Sequence, residues 1–388
     1  MQSSKTSRKI AAAVLLAAML LGIALSAKSL PPLLRGGAKN LLTRGVGEAV
    51  SRFDEGWNAV FSGREESRNL YGLLQRALCK KEARNFEVLR SETGQLYLQD
   101  AVWPTDGETL AECAERIALL RDATEAYGGL FVFVQLPYKN AGMAEDLKYY
   151  SDDGTEAAES RLLKLLSEKK VTTLDLRETE GCSDFYRTDH HWTTDAAFQA
   201  SETIAAFLAK DCSVPLGDTG KYGELSQYAA REASGAFLGS IGIKVGSFYT
   251  KKDVFTIYEP LYPTCMSFDH YVDGTKNHHS EGTWREALIE QVLLDDEGYN
   301  NKYNSLMFGD ICHEEGIVEN AFAENELSAL CVIHSYGRGL CAYFSQYFAR
   351  LYSLDPQEGR YGGSILQYIR EHEPDVVIFA YNDLVNVS

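Results

Sequence analysis

Positive charge is in short supply in this chain of 388 residues: 38 lysines and arginines face 55 aspartates and glutamates, for a formal net charge of −17. A general nucleic-acid binder needs a basic footprint, so that class is excluded. Internal repeats and low-complexity tracts are missing, which sets solenoid architectures aside. No two of the eight cysteines have CxxC spacing. Asp310, Cys312 and His313, or His278 and His279, lack the second ligand pair that zinc spacing calls for, so no metal is expected. A chain this long does not need disulfide staples, and the even cysteine count leaves pairing and free buried thiols both open.

One apolar run of membrane length is present. Ile10 to Ala27 follows Lys5, Arg8 and Lys9, with no acid before it. As a helix it would span about 27 Å, close to the hydrocarbon thickness of a bilayer. Cations ahead of the run place the N-terminus in the cytoplasm and the remainder outside. The run exceeds the core of a signal peptide, about 7–15 residues, which favours a retained anchor. Cleavage at the small residues Ala24-Leu25-Ser26-Ala27 would instead release the chain. The expectation is a single-pass membrane protein with an extracytoplasmic main domain, secreted if the segment is removed.

Residues 1–30 thus read as tail and anchor, and 31–93 as a tether with peripheral helices over Phe53 to Phe61 and Leu70 to Leu78. From residue 94 to 388 strand and helix alternate. Leu96 to Leu98 is strand-like, Thr109 to Tyr127 helical, Leu130 to Leu136 a strand, Glu156 to Lys169 a helix and Val171 to Leu176 a strand. Thr194 to Lys210 is a helix with Thr193 or Thr194 as its cap. A β-rich insertion over about 212–305, with Asp253 to Tyr258 as one β-like piece, interrupts the pattern. It resumes with Ala329 to His334 as a strand, helices over Leu340 to Leu351 and Ile365 to Glu371, and a strand over Asp375 to Ala380. Such alternation implies an α/β domain with a mostly parallel sheet.

The chemistry concentrates in Tyr186-Arg187-Thr188-Asp189-His190-His191-Trp192 and in Ser335. Ser335 follows an apolar strand and precedes a turn containing Gly337 and Gly339, the place where α/β sheets present ligands to helix-terminal amides. A serine there is more often an ordinary cap, but Asp189 and His191 supply the remaining parts of a nucleophilic triad. His191 would take the serine proton as general base, and Asp189 would hold its tautomer. In an extended segment alternate residues share a face, which pairs Asp189 with His191 and turns His190 away. Trp192 reads as a wall of the site or a sugar-stacking face; Tyr186 and Arg187 read either as surface residues or as positioners of an anionic or polyhydroxyl substrate, and Tyr336 is a further candidate to position substrate. Oxyanion donors are sought at the Ser335 amide, at Gly309 and at Asn382.

The run Thr188-Asp189-His190-His191-Trp192-Thr193 resembles the signature of the DHHW family, which is similar to the AlgX and AlgJ SGNH-hydrolase-like proteins of polysaccharide O-acetylation. The resemblance implies a three-layer SGNH-like fold over residues 90–388, with Asp189 and His191 as the D-x-H pair and Ser335 as nucleophile. Where the family has K-D-S-Y, this chain has His334-Ser335-Tyr336. The implied activity is O-acetyl transfer to an exported or cell-surface polysaccharide, with a membrane-bound O-acyltransferase as acetyl donor and no cofactor. A carbohydrate acetylesterase and a non-catalytic glycan-binding scaffold are the alternatives. A metal-dependent DHH phosphoesterase is disfavoured because Asp152-Asp153 and Asp184 do not form its further acidic ligand set.

Overall fold

Runs of β-branched and aromatic residues become one eight-stranded sheet in the computed structural model, which describes residues 64–99, 107–141, 143, 145–147, 150, 154–298, 301–357 and 360–380. In chain order its strands are β1 (Leu130–Gln135), β2 (Thr172–Asp175), β3 (Met266–Val272), β4 (Thr275–Gly282), β5 (Glu315–Asn320), β6 (Ser328–Val332), β7 (Arg350–Leu354) and β8 (Val376–Phe379). They lie in the order β2-β1-β8-β6-β7-β5-β3-β4. The first five are parallel to their neighbours, and β5, β3 and β4 pair antiparallel.

Side chains alternate across the sheet and so build two cores. Phe131, Phe133, Leu330, Val332, Val377 and Phe379 face helices α1 (Gly107–Glu125), α2 (Thr155–Glu168) and α5 (Ile365–His372). Val132, Val134, Cys331 and Ile378 face the opposite layer, where α3 (Thr194–Lys210) and α4 (Gly337–Phe344) pack. The result is three layers, helix on sheet on helix. Both faces of the parallel strands are covered, which is why those strands read as continuous apolar runs. Thr193 caps α3 by accepting the Ala196 amide at 3.1 Å.

The mostly parallel sheet needs correction at one edge, where three strands run antiparallel. Two of them, β3 and β4, fall inside the span read as an insertion. Their physical signature differs: β3 buries Met266, Phe268 and His270 and leaves the residues between half-buried, whereas β4 is largely exposed. An antiparallel edge with one wet face alternates polar and apolar residues and does not look like the strands beside it. The helix expected over Leu340 to Leu351 ends at Phe344, and Arg350 to Leu354 is β7. Strand β5 was not anticipated.

The apolar run Ile10 to Ala27 and the helix expected over Phe53 to Phe61 lie outside the described residues. Among the described residues, no helix is long and apolar enough to cross a membrane. All eight cysteines are free thiols, and Cys331 and Cys341 are both fully buried.

Candidate active site

The segment Arg187 to His191 is a reversal, closed at its base by the bridge between Phe185 and Trp192. Tyr186 N–H donates to His191 O at 3.2 Å and Thr193 N–H to Asp184 O at 2.8 Å. Asp189 and His191 meet inside that loop and do not share a face of an extended strand. One oxygen of Asp189 accepts the backbone N–H of His191 at 2.9 Å, as an aspartate does when it nucleates a turn two residues on. The same Oδ1 faces His191 Nδ1 at 2.5 Å. Asp189 is fully buried. Burial alone would raise its pKa; the imidazoles of His191 and His190 outweigh that and hold the carboxyl well below the usual range.

From the far end of the sheet centre, Ser335 completes the line. Its Oγ lies 2.9 Å from His191 Nε2, bridging 144 residues of sequence. Ser335 sits in the turn between β6 and α4, and is half-buried while every residue from Cys331 to Leu340 around it is buried. The turn is held from three sides. Trp192 Nε1 donates to Tyr336 O at 3.0 Å, Tyr303 OH donates to the same carbonyl at 2.8 Å, and Tyr336 N–H donates to His334 Nδ1 at 3.1 Å. Tyr303 also stacks on His191, with centroids 4.0 Å apart and planes 10° apart. An aromatic face so placed stabilises an imidazolium more than an imidazole.

Residues without an obvious signal in the sequence complete the surroundings. Asp189 Oδ2 accepts the backbone N–H of Ser240 at 2.5 Å. That approach requires Gly239: a Cβ there would lie 2.3 Å from the Cβ of Asp189. Asp253 accepts the amides of Arg187 at 2.9 Å and Thr188 at 2.8 Å. Lys139, buried, donates to the carbonyls of Tyr186 at 2.7 Å and Asp189 at 2.6 Å, and desolvation pushes its pKa down to about 7. Gly239, Ser240, Asp253 and Tyr303 all come from the 212–305 region.

The remaining expected site residues divide. His190 keeps its Nδ1 on Ser240 Oγ at 2.8 Å and lies ring to ring against His191 at 3.8 Å, close to the line of Asp189 and His191. Trp192 has no exposed surface and Tyr186 is 4% exposed, so the sugar-stacking and substrate-positioning roles are corrected to support of the turn and loop. Tyr336, also buried, donates its OH to His190 O. Arg187 is half-exposed and its guanidinium has no partner among the described residues. Gly309 is corrected as an oxyanion donor, because its N–H is given to Asn304 O at 2.7 Å and its carbonyl accepts Arg338 Nη1 at 3.1 Å. Asn382 lies outside the described residues. The Ser335 N–H has no acceptor among the described residues and points to no structural use.

Asp189, His190 and His191 bring ligand-type atoms within 4.8 Å of one another. Those atoms are already committed: Nδ1 of His191 to Asp189, its Nε2 to Ser335, and Nδ1 of His190 to Ser240. The donor set fits a hydrogen-bonded relay better than a cation.

Residues 88–261 match a family described as SGNH hydrolase-like domain, acetyltransferase AlgX, and this span contains the Asp189-His190-His191-Trp192 run. The fold is also that of Bacillus cereus PatB1, solved with a sulfonyl adduct: 19% identity, TM-score 0.61, covering 78% of this chain and 95% of that one. A DHHW family protein from Eubacterium siraeum aligns at 18% identity and TM-score 0.55, over 78% of this chain and 91% of that one. The O-acetyltransferase domain of Pseudomonas putida AlgJ aligns at 13% and 0.44, over 78% and 92%. No curated protein matches the sequence. The chain is therefore similar to the AlgX family and to the DHHW protein, and has an SGNH-hydrolase-like α/β fold with a mixed sheet.

Proposed function

We propose that this chain is an extracytoplasmic O-acetyltransferase that acetylates an exported or cell-surface polysaccharide through an acetyl ester on Ser335. The observation that carries the reading is the continuous line Asp189 Oδ1, His191 Nδ1, His191 Nε2, Ser335 Oγ, with contacts of 2.5 and 2.9 Å. Asp189 accepts the Nδ1 proton and so leaves the Nε2 lone pair facing the serine hydroxyl. Ser335 Oγ attacks the acetyl carbonyl of the donor while its proton passes to Nε2. The Ser335 amide stabilises the oxygen that becomes negative. Collapse expels the donor's leaving group, which takes the proton from His191, and leaves acetyl on Oγ. A sugar hydroxyl then attacks, gives its proton to Nε2, and the serine oxygen recovers it on release.

Transfer is favoured over hydrolysis by the acetyltransferase description of the matching family. The outward-facing topology rests on the cations before Ile10 to Ala27, and a membrane-bound O-acyltransferase would supply the acetyl group from across the bilayer. Intact-mass measurement after exposure to a chromogenic acetyl ester tests the reading. The wild type is expected to gain one acetyl group or to turn the ester over, and Ser335→Ala and His191→Ala to do neither. An adduct that persists in folded Ser335→Ala would overturn the assignment.

A further inference from the structure

At the carboxyl ends of β1 and β2 a cleft of about 540 Å³ opens on the same end of the sheet as Ser335. Strand β1 and strand β6, which leads to the serine, are separated only by β8, so two strand spacings of about 4.8 Å set them about 10 Å apart. Phe185 belongs to both places: it lines the cleft, and its ring meets Tyr336 edge-on at 6.4 Å. Lys139 lines the cleft too, with its ammonium on the carbonyl of Asp189. A long ligand reacting at Ser335 would lie with its next units here.

We propose that this cleft is the acceptor subsite and that it takes a glycan without carboxylates, binding best where the sugars carry free amines. The inference rests on the acetyl-transfer reading for its meaning, though not for its test. The charges in the cleft are asymmetric in availability. Arg177 is consumed, with Nε and Nη2 on Asp175 at 2.9 and 2.7 Å and Nη1 on Ser160 at 3.1 Å. Lys139 is consumed by backbone carbonyls and is only partly charged near neutral pH. The carboxylates of Glu156, Glu178 and Asp184 are exposed and form no hydrogen bond or ion pair among the described residues. Among the described lining residues, a polyuronate entering here would meet three unpaired anions and no free cation, on a chain whose net charge is −17. Sugar hydroxyls and ammonium groups, in contrast, are donors, and carboxylates are acceptors only. Tyr138 and Phe185, both half-exposed, add apolar faces for the carbon skeleton of a pyranose.

Binding to full-length Ser335→Ala, followed by calorimetry, separates this inference from the chemistry. The probes are tetramers of glucosamine, N-acetylglucosamine and galacturonate. The glucosamine tetramer is expected to bind most tightly, the N-acetylated one more weakly, and the uronate not at all. Adding Glu178→Gln and Asp184→Asn should weaken glucosamine binding about three- to tenfold and the N-acetylated tetramer by less than about twofold, with raised salt acting in the same direction. Both replacements are isosteric and at the surface, and an unchanged thermal melt verifies the fold. Uronate binding as tight as that of the amine, no binding of any tetramer, or indifference to the two substitutions would each overturn the cleft assignment. None of these results bears on the acetyl adduct in the wild type, whose absence would sink the acyl-transfer reading alone.

Discussion

Histidines crowd both sides of Ser335, and the two sides differ in what their protons can do. Toward the loop, His191 places Nδ1 on a carboxylate and Nε2 on a hydroxyl, a partner that can both donate and accept. Toward the sheet edge, His334, His270 and His313 line a small cavity of about 30 Å³ together with Arg338. Each of these three has one nitrogen occupied by an N–H that cannot be given up. His334 Nδ1 accepts from Tyr336 N–H at 3.1 Å, His270 Nε2 from Glu314 N–H at 3.1 Å, and His313 Nδ1 from Arg338 Nη2 at 2.8 Å. Burial lowers the pKa of all three, that of His334 to about 3. An imidazole becomes a base in use when a carboxylate fixes one nitrogen and a movable proton faces the other. Without those partners it is a neutral packing and hydrogen-bonding group.

The contrast breaks most severely at Asp189. Its two oxygens accept three N–H groups, from His191 twice and from Ser240 once. An amide in its place must turn NH₂ toward one of these donors. Asp189→Asn is expected to lower turnover of an acetyl ester about 10,000-fold through the wrong His191 tautomer. The unmatched buried donor should also cost about 1–3 kcal/mol in a denaturant titration. Turnover within tenfold of wild type would mean that the carboxylate is not the partner that activates His191. A smaller break is Gly239→Ala. Its Cβ would stand 2.4 Å from Asp189 Oδ2, so the carboxylate must move, and misplacement on the ångström scale costs about 100-fold in rate. Steady-state kinetics with native near-ultraviolet circular dichroism checks it.

Much of this arrangement was legible beforehand, and the parts that were not have physical reasons. Helix α3 and the strands β1, β6 and β8 announce themselves because buried parallel strands are apolar on both faces and helices carry caps. Asp189, His191 and Ser335 could be picked out because triad chemistry needs those residue types. The geometry that joins them was not legible as an extended strand, since an aspartate that folds back on the second following amide makes a loop. Gly239, Ser240 and Asp253 act through backbone amides and space, properties that a side-chain inventory does not register. Gly309 shows the reverse error: glycine after an apolar run suggests a free amide, yet a local turn to Asn304 uses it. The antiparallel edge was hidden because its strands are polar on the wet face.

His334 also supplies a pH test that is gentler than either mutation at the triad. Its pKa is near 3 in the folded chain and near the ordinary histidine value of about 6.5 when unfolded. Below that value the unfolded chain binds a proton that the folded chain refuses. Stability from this group is therefore complete above about pH 6.5 and is lost as pH falls toward 3. His334→Asn retains an acceptor for the Tyr336 amide but does not titrate. Urea titrations between pH 7 and pH 4 should show the variant losing less stability than wild type. Equal losses would mean that His334 takes up a proton in the native state as readily as in the unfolded one.

The finest distinction comes from His334→Asp, which restores the aspartate of the K-D-S-Y pattern beside the serine. An aspartate oxygen can accept the Tyr336 amide as Nδ1 does, and Arg338 lines the same cavity. The turn should hold and maximal turnover should stay within about threefold, since only a support has been exchanged. Loss of turnover at every pH, in a variant that melts as wild type does, would mean that His334 handles a proton in the reaction. The division between a working histidine and its pinned neighbours would then fail at the residue where this chain departs from the family pattern.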